Sequence, residues 1–578
     1  MKFFKADYMI KQLLIVTLSM LTFVAMAQKK ALVGGTLVDG FGGKPILNSV
    51  VIINGETIEK VGRVGEIEIP KGTQIISTEG MTVMPGLWDM HVHMMINGHS
   101  DYPYWDKKYP PLFKKVIMPA SAHQLLMAGV TSARDLGGPL EESLWVRDAI
   151  NKGEIPGPTM YVSGPFLQHR PYPGTEQFRW GIYGEKDARE KVQTLVKAGV
   201  DCIKLIDQDE MSKEEVFAIV DEAHKNKLKV VGHSHRPDEI RIGLAAGVDN
   251  FEHTGLSSAP AYPDDIVKAL AERTAQMSKG PLFWTPTVEG LYNYEDVRDN
   301  PEKLDDPSWH LGLPDSVVKD IKQSLTHPGR MSYFQLTPIR KPTLETKFKQ
   351  LQKAGVVLLV GTDSGIPMKF HSQSTWNELD VWVRVFGVDP VQAIKSATYW
   401  PSVFMGVENK VGTISEGKQA DIIAVKGDAH LLRIGKREAA RLRPDCGWIR
   451  AWKGEVLRRL GRFEESRREL DRAVRLDPDY EFGYAWRGGT LRALGRHEEA
   501  LADLDIAAAL DPRYLAAQGL EPGVVAGVAA LAGPFDFLPL DGPSTREAFG
   551  TWPRLAETQP VNAVTAEAPP FLLITGDS

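Results

Sequence analysis

The tripeptide Ala-Gly-Val occurs at residues 128–130, 198–200, 246–248 and 354–356. Each copy follows a stretch with helical periodicity and opens a short apolar run, as expected if the glycine ends a helix and the valine begins a strand. The strands predicted in this way are 130–135, 200–205, 248–253 and 356–363, and similar runs cover 84–93, 159–164, 228–233 and 282–288. Apolar strands that alternate with helices in this number predict an α/β fold, a parallel (β/α)8 TIM barrel.

Ionisable side chains lie at or near the carboxyl ends of many of these predicted strands. They are His91, His93, Lys204, His233, His253 and Asp363. His91 and His93 are two residues apart in a strand and therefore point to the same side. The carboxyl ends of barrel strands form the rim that carries the active site. Imidazole and carboxylate groups are ligands of zinc-like ions, so the sequence predicts a metal centre on this rim.

Short motifs surround these residues. They are Pro-Gly-Leu-Trp-Asp-Met-His-Val-His at 85–93, Cys-Ile-Lys-Leu at 202–205, Gly-His-Ser-His at 232–235, Phe-Glu-His-Thr-Gly at 251–255 and Gly-Thr-Asp-Ser at 361–364. Together they resemble the metal-dependent amidohydrolase superfamily, and within it the imidazolonepropionase-like and Xaa-Pro-dipeptidase-like branch. The resemblance extends over residues 30–428 and ends with 411–425, which looks like the return of the chain into a small β-sandwich.

The resemblance implies a binuclear site with two divalent metal ions, which we expect to be Zn²⁺. In this scheme the inner ion is held by His91, His93 and Asp363, and the outer ion by His233 and His253. Lys204 stands where binuclear members carry a lysine carbamylated by CO2, which bridges both ions. Two alternatives stay open: Lys204 is a cationic lysine in a one-metal site, or His235 replaces His233 as a ligand.

The implied reaction is hydrolysis of an amide C–N bond, such as that of a dipeptide or an N-acyl amino acid, by a metal-activated hydroxide. Asp363 would then carry a proton to the leaving nitrogen. The candidate substrate contacts are His235, His169, Arg170, Tyr172 and Arg236. Arginine suits a substrate carboxylate because it can donate two parallel hydrogen bonds. The alternatives are a mononuclear cyclic-amide hydrolase or deaminase of the same superfamily, and a peptide-binding module with an inactive barrel.

The N-terminal segment, residues 1–27, has the pattern of a cleavable signal peptide. Lys2, Lys5 and Lys11 precede an apolar run that ends in Ala-Met-Ala at residues 25–27. This run has about 15 residues, fewer than the roughly 20 that a membrane-spanning helix needs. We therefore expect a periplasmic or secreted protein without an integral membrane segment after cleavage.

Turn residues and apolar alternation predict a β-sandwich subdomain from residues 28–84 together with 408–428. The barrel is expected to span 85–407. The sandwich is expected to be incomplete at its C-terminal part, because an Arg-rich helical segment begins at residue 429, where the superfamily usually adds strands.

Basic residues change abruptly near this point, with 35 Lys and 13 Arg in residues 1–428 but 2 Lys and 18 Arg in 429–578. This shift suggests a chimeric C-terminal part. Residues 429–518 contain a 34-residue period, since Ala451-Trp452 recurs as Ala485-Trp486, and they resemble tetratricopeptide repeats. Residues 519–578 resemble a fragment of an α/β-hydrolase, but the chain has no Gly-x-Ser-x-Gly motif for a nucleophilic serine.

The charge pattern gives no sign of a nucleic-acid partner, since the formal net charge is −6. The expected partner of the barrel is a small-molecule amide or dipeptide substrate. A peptide bound by the helical repeats and a homo-oligomeric assembly are both compatible with the sequence.

Overall fold

A computed structural model describes residues 29–254, 257–326, 332–426, 447–459, 461–476, 478 and 481–510. The predicted signal peptide (1–27), the last sandwich residues (427–428) and the α/β-hydrolase-like segment (519–578) lie outside the described residues. So do residues 429–446 and 511–518 of the predicted repeat segment. The chain divides into two compact units, one of residues 1–386 and 391–429, the other of residues 387–390 and 430–578. Within the described ranges, no helix is long and apolar enough to cross a membrane.

The strands of the described residues are β1 (Lys30–Val33), β2 (Thr36–Leu37), β3 (Ser49–Asn54), β4 (Thr57–Arg63), β5 (Gln74–Ser77), β6 (Met81–Pro85), β7 (Leu87–Val92), β8 (Val130–Asp135), β9 (Thr159–Val162), β10 (Phe166–Gln168), β11 (Arg179–Gly181), β12 (Cys202–Leu205), β13 (Lys229–His233), β14 (Asn250–Glu252), β15 (Phe283–Thr285), β16 (Val357–Leu358) and β17 (Ile422–Lys426).

The helices are α1 (Tyr102–Lys108), α2 (Pro110–Leu112), α3 (Met118–Met127), α4 (Leu140–Asn151), α5 (Glu185–Ala198), α6 (Lys213–Lys225), α7 (Pro237–Ala246), α8 (Asp264–Thr274), α9 (Glu289–Asp299), α10 (Asp315–Leu325), α11 (Ser332–Gln335), α12 (Thr337–Lys353), α13 (Ser374–Asp380), α14 (Pro390–Ser396), α15 (Tyr399–Met405), α16 (Gly447–Arg459), α17 (Phe463–Leu476), α18 (Glu481–Ala493) and α19 (His497–Leu510).

The strands β7, β8, β9, β12, β13, β14, β15 and β16 form a closed parallel barrel. Neighbouring strands pair in parallel register from β7 to β9 and from β12 to β16. The backbone N–H of Asp201 donates to Val162 O at 2.8 Å and joins the two groups. The backbone N–H of Met90 donates to Val360 O at 3.0 Å and closes the ring between the last and the first strand. The predicted parallel barrel is therefore confirmed.

The glycines of the four Ala-Gly-Val copies have positive φ angles, as the helix-ending role requires. Gly129, Gly199, Gly247 and Gly355 have φ values of 82°, 84°, 94° and 77°. A residue with a Cβ is strained in this left-handed region, whereas glycine is not. The repeated tripeptide thus marks the point at which each helix turns back into the barrel.

Several predicted strands are shorter in the structure, and two of them differ most. The predicted strand 84–93 divides at Gly86, where a Cβ would lie 2.1 Å from Thr131 Oγ1, and its two parts become β6 and β7. The predicted strand 356–363 is reduced to β16, and Asp363 beyond it has a φ of 66°. An extended conformation is impossible at that φ, so the chain leaves the barrel wall where the polar residues begin.

Side chains alternate along the first barrel strand. Trp88 and Met90 belong to a buried apolar cluster that also contains Cys202 and Val231. Since successive side chains of a strand point to opposite sides, the intervening polar residues of β7 face the other way. Burial raises the pKa of the Cys202 thiol to about 12, so this cysteine is an apolar packing residue rather than a reactive thiol.

Two small sheets precede and follow the barrel in sequence. One has the strand order β4-β3-β1-β5 and the other β17-β6-β2. The two share a core that includes Leu37, Val51, Ile58 and Val83. The strands β3 and β4 form an antiparallel hairpin across Asn54-Gly55. Strand β17 returns from the end of the barrel to pair with β6, so the sandwich holds both ends of the barrel chain together.

The helices α16 to α19 lie in the second unit. Equivalent ion pairs occur one 34-residue period apart. Lys453 Nζ lies 2.6 Å from Glu469 Oε1, and Arg487 Nε lies 2.6 Å from Asp503 Oδ2. The periodicity of the sequence therefore corresponds to a periodicity of helix contacts.

Candidate metal centre

The first group of polar side chains consists of His91, His93 and Asp363. Both histidines lie at the end of β7 and Asp363 lies beyond β16, its neighbour in the closed barrel. Asp363 Oδ1 is 3.0 Å from His93 Nε2 and 3.4 Å from His91 Nε2. These side chains place one atom each within 4.8 Å of one another, close enough to hold a metal ion together.

Hydrogen bonds on the far side of each ring determine which nitrogen carries the proton. His91 Nδ1 lies 2.8 Å from Glu252 Oε2, and His93 Nδ1 lies 3.4 Å from the carbonyl oxygen of Gly137. The carbonyl oxygen of Gly137 and the ionised carboxylate of Glu252 can only accept hydrogen bonds, so the Nδ1 atom of each histidine is the donor. In a neutral ring the other nitrogen, Nε2, then carries a lone pair, and this lone pair points toward Asp363. Lone pairs and a carboxylate that face one another in this way fit a cation between them.

Burial also disfavours a charge on the His91 ring. It lowers the pKa of His91 well below its usual value, and the Lys204 charge lowers it further. Burial alone would raise the pKa of Asp363, but His91 and His93, when protonated, hold it well below its usual range. Neutral imidazoles and an ionised carboxylate are the protonation states that metal binding requires.

A buried ion pair lies behind the first group. Arg134 Nη2 donates to Glu252 Oε1 at 2.7 Å, and both side chains are 0% exposed. Arg134 Nε also donates to the carbonyl oxygen of Met90, at 2.8 Å. Burial raises the pKa of Glu252, while the charge of Arg134 acts in the opposite direction. Arg134 therefore holds Glu252 in place, and Glu252 holds His91.

The second group consists of His233, His235 and His253. Their ring centroids are 4.4 to 4.9 Å apart, and the rings of His235 and His253 are stacked. Each offers a nitrogen within 4.8 Å of the others. His253 Nδ1 lies 2.7 Å from Thr287 Oγ1, which fixes the orientation of this ring. Burial lowers the pKa of His235 to about 3 and that of His233 and His253 well below the usual value.

Lys204 is fully buried in β12, and its ammonium lies near both groups. Its Nζ finds no hydrogen-bond partner among the described residues. Burial lowers the pKa of Lys204 to about 8. After burial, the Lys204 charge is the next cause that lowers the pKa of His91 and of His233. A buried ammonium without a partner is costly, so its environment favours a neutral or modified amine.

Several residues at the site have backbone conformations that are rare outside glycine. The φ angles of Asp207, His253, Thr287 and Asp363 are 49°, 74°, 51° and 66°. Such conformations are uncommon, least expected for a β-branched residue such as Thr287, and they concentrate at functional sites. Here they turn His253 and Asp363 out of the strand direction and toward the barrel mouth.

A cavity of about 310 Å³ opens at this end of the barrel. Its polar lining includes His93, His233, His235, His253 and Asp363. The same cavity is lined by the apolar side chains Phe166, Ile206, Leu291, Leu344 and Ile366. A small molecule with an apolar part can therefore reach both groups of candidate ligands at once.

Residues 82–454 match the sequence model of the amidohydrolase family. The chain belongs to this family. Amidohydrolases are hydrolases that act on carbon–nitrogen bonds, so the chain is an enzyme of this class. The family usually uses metal, in agreement with the two groups of histidine and aspartate side chains.

Individual relatives support the same assignment. An ochratoxinase from Aspergillus niger is 28% identical over 445 residues, which cover 68% of this chain and 80% of the relative. The solved structure of a provisionally named prolidase from Bifidobacterium longum has 27% sequence identity and a TM-score of 0.52, over 70% of this chain and 90% of that one. A molinate hydrolase has 20% identity and a TM-score of 0.55, over 69% and 90% of the two chains, and shows the shared fold.

The predicted substrate contacts of this amidohydrolase are only partly brought together. Tyr172 and His235 line the cavity, whereas His169, Arg170 and Arg236 do not. Arg170 is exposed. Arg236 donates to the carboxylates of Asp207 and Asp209, and its Nη2 also lies 3.5 Å from Glu239 Oε1. A guanidinium that is already paired in this way is poorly placed to bind a substrate carboxylate.

Two other arginines line the cavity of the amidohydrolase instead. They are Arg179, in the short strand β11, and Arg340, in helix α12. The guanidinium carbon of Arg179 lies 4.6 Å from the ring centre of Tyr172 and 5.0 Å from that of Phe166. Neither arginine follows a barrel strand directly in sequence. The pattern of polar residues at strand ends therefore contains no signal for them.

Proposed function

We propose that this amidohydrolase is a binuclear metal-dependent enzyme that hydrolyses the amide bond of a dipeptide or an N-acyl amino acid. The observation that carries the proposal is the position of Lys204, buried near two groups that could each hold a metal ion. The names of two of its relatives, ochratoxinase and prolidase, are compatible with an amide substrate.

The proposed ligands form two sets around Lys204. The first set is His91, His93 and Asp363, and the second is His233 and His253. With a pKa of about 8, Lys204 has an appreciable neutral fraction near neutral pH, and a neutral amine is the form that adds CO2. The resulting carbamate would replace a buried positive charge by a group with one negative charge and two oxygen atoms, which is a suitable ligand for divalent metal ions.

Divalent cations bound there would polarise an amide carbonyl and lower the pKa of water. Asp363 is the proposed proton carrier. As an ionised carboxylate, it has oxygen atoms that can accept a proton. Asp363 lines the cavity, so it can pass this proton to the leaving nitrogen of a bound amide.

The position of Arg179 supports the proposal that the substrate has a carboxylate. Its guanidinium lies in the cavity wall between aromatic rings and donates to Gln168 Oε1 at 3.0 Å. The other N–H groups of the planar Arg179 guanidinium can then donate to a ligand. The apolar lining opposite suits the side chain of an amino acid. We therefore propose Arg179 and Arg340 as the groups that select a carboxylate, in the role that the sequence suggested for Arg170 and Arg236.

Metal analysis and a substrate screen test the proposed function together. The purified protein is analysed for metal and then assayed on dipeptides and N-acyl amino acids, with and without a chelator. Two metal ions per chain and chelator-sensitive hydrolysis are expected. One metal ion per chain and no dependence on CO2 would instead favour the mononuclear cyclic-amide hydrolase or deaminase. Hydrolysis that persists after complete removal of metal would contradict the proposal.

The variant Arg179→Met tests the carboxylate contact. A hydrogen bond to a charged group contributes about 1.5–3 kcal/mol, and each 1.4 kcal/mol is a factor of about ten. The KM for a carboxylate substrate should therefore rise about 10- to 100-fold, while the KM for the corresponding neutral amide stays unchanged. Arg241→Met is a matched control, because Arg241 pairs with Asp238 and Asp265 on the outer helices. Equal effects on both substrates would refute a carboxylate contact.

We further propose that the chain is exported and that residues 429–518 are tetratricopeptide repeats. Support for export comes from the pattern of residues 1–27, and support for the repeats comes from the 34-residue period and the matching ion pairs of α16 to α19. The N-terminal residue of the mature protein, determined by mass spectrometry, tests the first proposal. Truncation after residue 428 tests whether the helices are needed for hydrolysis.

A further inference from the structure

A second buried lysine, Lys369, lies behind the candidate metal centre. Its side chain is 1% exposed. Its Nζ donates to the carbonyl oxygen of Thr362 at 2.8 Å and to that of Thr287 at 3.2 Å. One ammonium therefore connects the chain that follows β15 with the chain that follows β16.

Both carbonyl groups belong to segments that position candidate ligands. Thr287 Oγ1 lies 2.7 Å from His253 Nδ1, so the position of Thr287 determines the orientation of the His253 ring. Thr362 directly precedes Asp363 in the chain. Thr287 and Asp363 have φ angles of 51° and 66°, and such conformations persist only when the surrounding contacts hold them. Lys369 supplies one such contact to each segment.

The surroundings of Lys369 are shaped around its charge. Burial raises the pKa of Glu289 to about 8 and that of Glu378 to about 7, and the Lys369 charge lowers both. The lysine side chain passes Gly290 so closely that a Cβ there would lie 2.0 Å from Lys369 Cε. Glu289 and Gly290 form the first turn of α9, whose N-terminal amides donate to Glu378. The path of the lysine is therefore fixed by packing as well as by hydrogen bonds.

We propose that Lys369 is a positioning residue that connects the two metal half-sites, His253 through Thr287 and Asp363 through Thr362. The inference rests on the proposed metal centre. Lys369 does not line the cavity, so it acts through these two segments rather than on the substrate. Loss of the ammonium releases both segments at once, and metal affinity falls together with kcat, while KM changes less.

The variant Lys369→Met tests this role by direct metal binding. Metal-free protein is titrated with Co²⁺ alone, and the visible absorption spectrum reports both the dissociation constant and the ligand geometry. Loss of a group that orients metal ligands typically costs about 10- to 100-fold in metal affinity, so a rise of at least about tenfold in the Co²⁺ dissociation constant is expected, together with an altered spectrum.

Lys347→Met is the matched control. Lys347 is also a 1% exposed lysine whose Nζ donates to a backbone carbonyl, that of Ser257, at 2.8 Å. It contacts no candidate ligand by a described hydrogen bond. Its loss should lower the thermal stability in a similar way but leave the Co²⁺ dissociation constant and spectrum unchanged.

Gly290→Ala is a second variant that retains the lysine. The added methyl group displaces the end of the Lys369 side chain while the charge stays in the protein. Alanine is also favoured over glycine in a helix, so a loss of metal affinity without unfolding is expected. This variant keeps the inference testable if Lys369→Met does not fold.

Thr287→Val separates the two connections. It removes the hydroxyl that contacts His253 but keeps the carbonyl that Lys369 binds. If Lys369 acts on His253 through Thr287, the effects of the two substitutions on the Co²⁺ dissociation constant are less than additive. If Lys369→Met and Gly290→Ala both bind Co²⁺ with the dissociation constant of the wild type, the proposed role of Lys369 is refuted. A wild-type protein that binds no Co²⁺ refutes the metal centre itself.

Discussion

Replacement of Glu252 by Gln is the sharpest test of how the site is supported. Glu252 accepts from Arg134 with one oxygen and contacts His91 Nδ1 with the other, at 2.7 and 2.8 Å. Glutamine has nearly the same shape but no charge, so Arg134 keeps its position as a buried cation without a carboxylate. The two functions of Glu252, in stability and in metal binding, are both affected by this one change.

The magnitudes follow from the complete burial of the pair. Both side chains are 0% exposed, and removal of one partner of a buried ion pair costs about 3–5 kcal/mol. The thermal midpoint should therefore fall clearly. His91 loses its charged hydrogen-bond partner, and metal affinity should fall by about 10- to 100-fold, as for other groups that orient a metal-binding histidine.

A double variant separates these two effects. In Glu252→Gln with Arg134→Met, no unpaired charge is left, so much of the lost stability should return. The metal affinity should stay low, because His91 still lacks its carboxylate. Thermal unfolding and Zn²⁺ titration of the single and double variants measure the two quantities separately. The reasoning would be refuted if the free energy of unfolding of Glu252→Gln lay within about 1 kcal/mol of the wild-type value. It would also be refuted if the double variant regained metal affinity.

Other predictions concern single side chains. Asp363→Asn should abolish hydrolysis but retain part of the bound metal, and near-normal turnover would contradict its role as proton carrier. His233→Asn should lose one metal ion per chain in metal analysis, whereas His235→Asn should keep the metal and change KM. The hydrogen bond with Asp249 raises the pKa of His224 above 6.5, so this pair stabilises the fold below that pH and the contribution disappears as the pH rises through the raised pKa. The difference in thermal midpoint between wild type and His224→Gln should therefore be largest at acidic pH and vanish at alkaline pH. A difference that does not depend on pH would contradict this prediction.

The barrel and the candidate ligands were predictable because each depends on short patterns of neighbouring residues in the sequence. The glycine of Ala-Gly-Val has a conformational reason that does not depend on the rest of the chain. His91 and His93 share a face through the two-residue period of a strand, and Lys204 and His233 lie at the ends of neighbouring strands. A parallel barrel brings such strand ends together whatever its loops do.

The supporting residues could not be predicted in the same way. Arg134 lies in β8 and Glu252 at the end of β14, and the sequence alone does not show that they meet. Arg179 reaches the cavity from β11, a strand outside the regular alternation of strands and helices. Lys369 acts through backbone carbonyls, which carry no residue-specific pattern. These positions depend on tertiary contacts, which only the folded chain defines.

The polar groups of the site fall into two layers with opposite electrostatic requirements. The layer at the cavity combines neutral imidazoles with the ionised Asp363 and is suited to cations. The layer behind it contains the cations Arg134 and Lys369, which would repel a metal ion if they faced it. Each is instead directed at an acceptor that holds a ligand segment, Glu252 for one and the Thr287 and Thr362 carbonyls for the other. Buried cations that bind acceptors behind the ligands can thus fix the geometry of a metal centre without competing with the metal for its ligands.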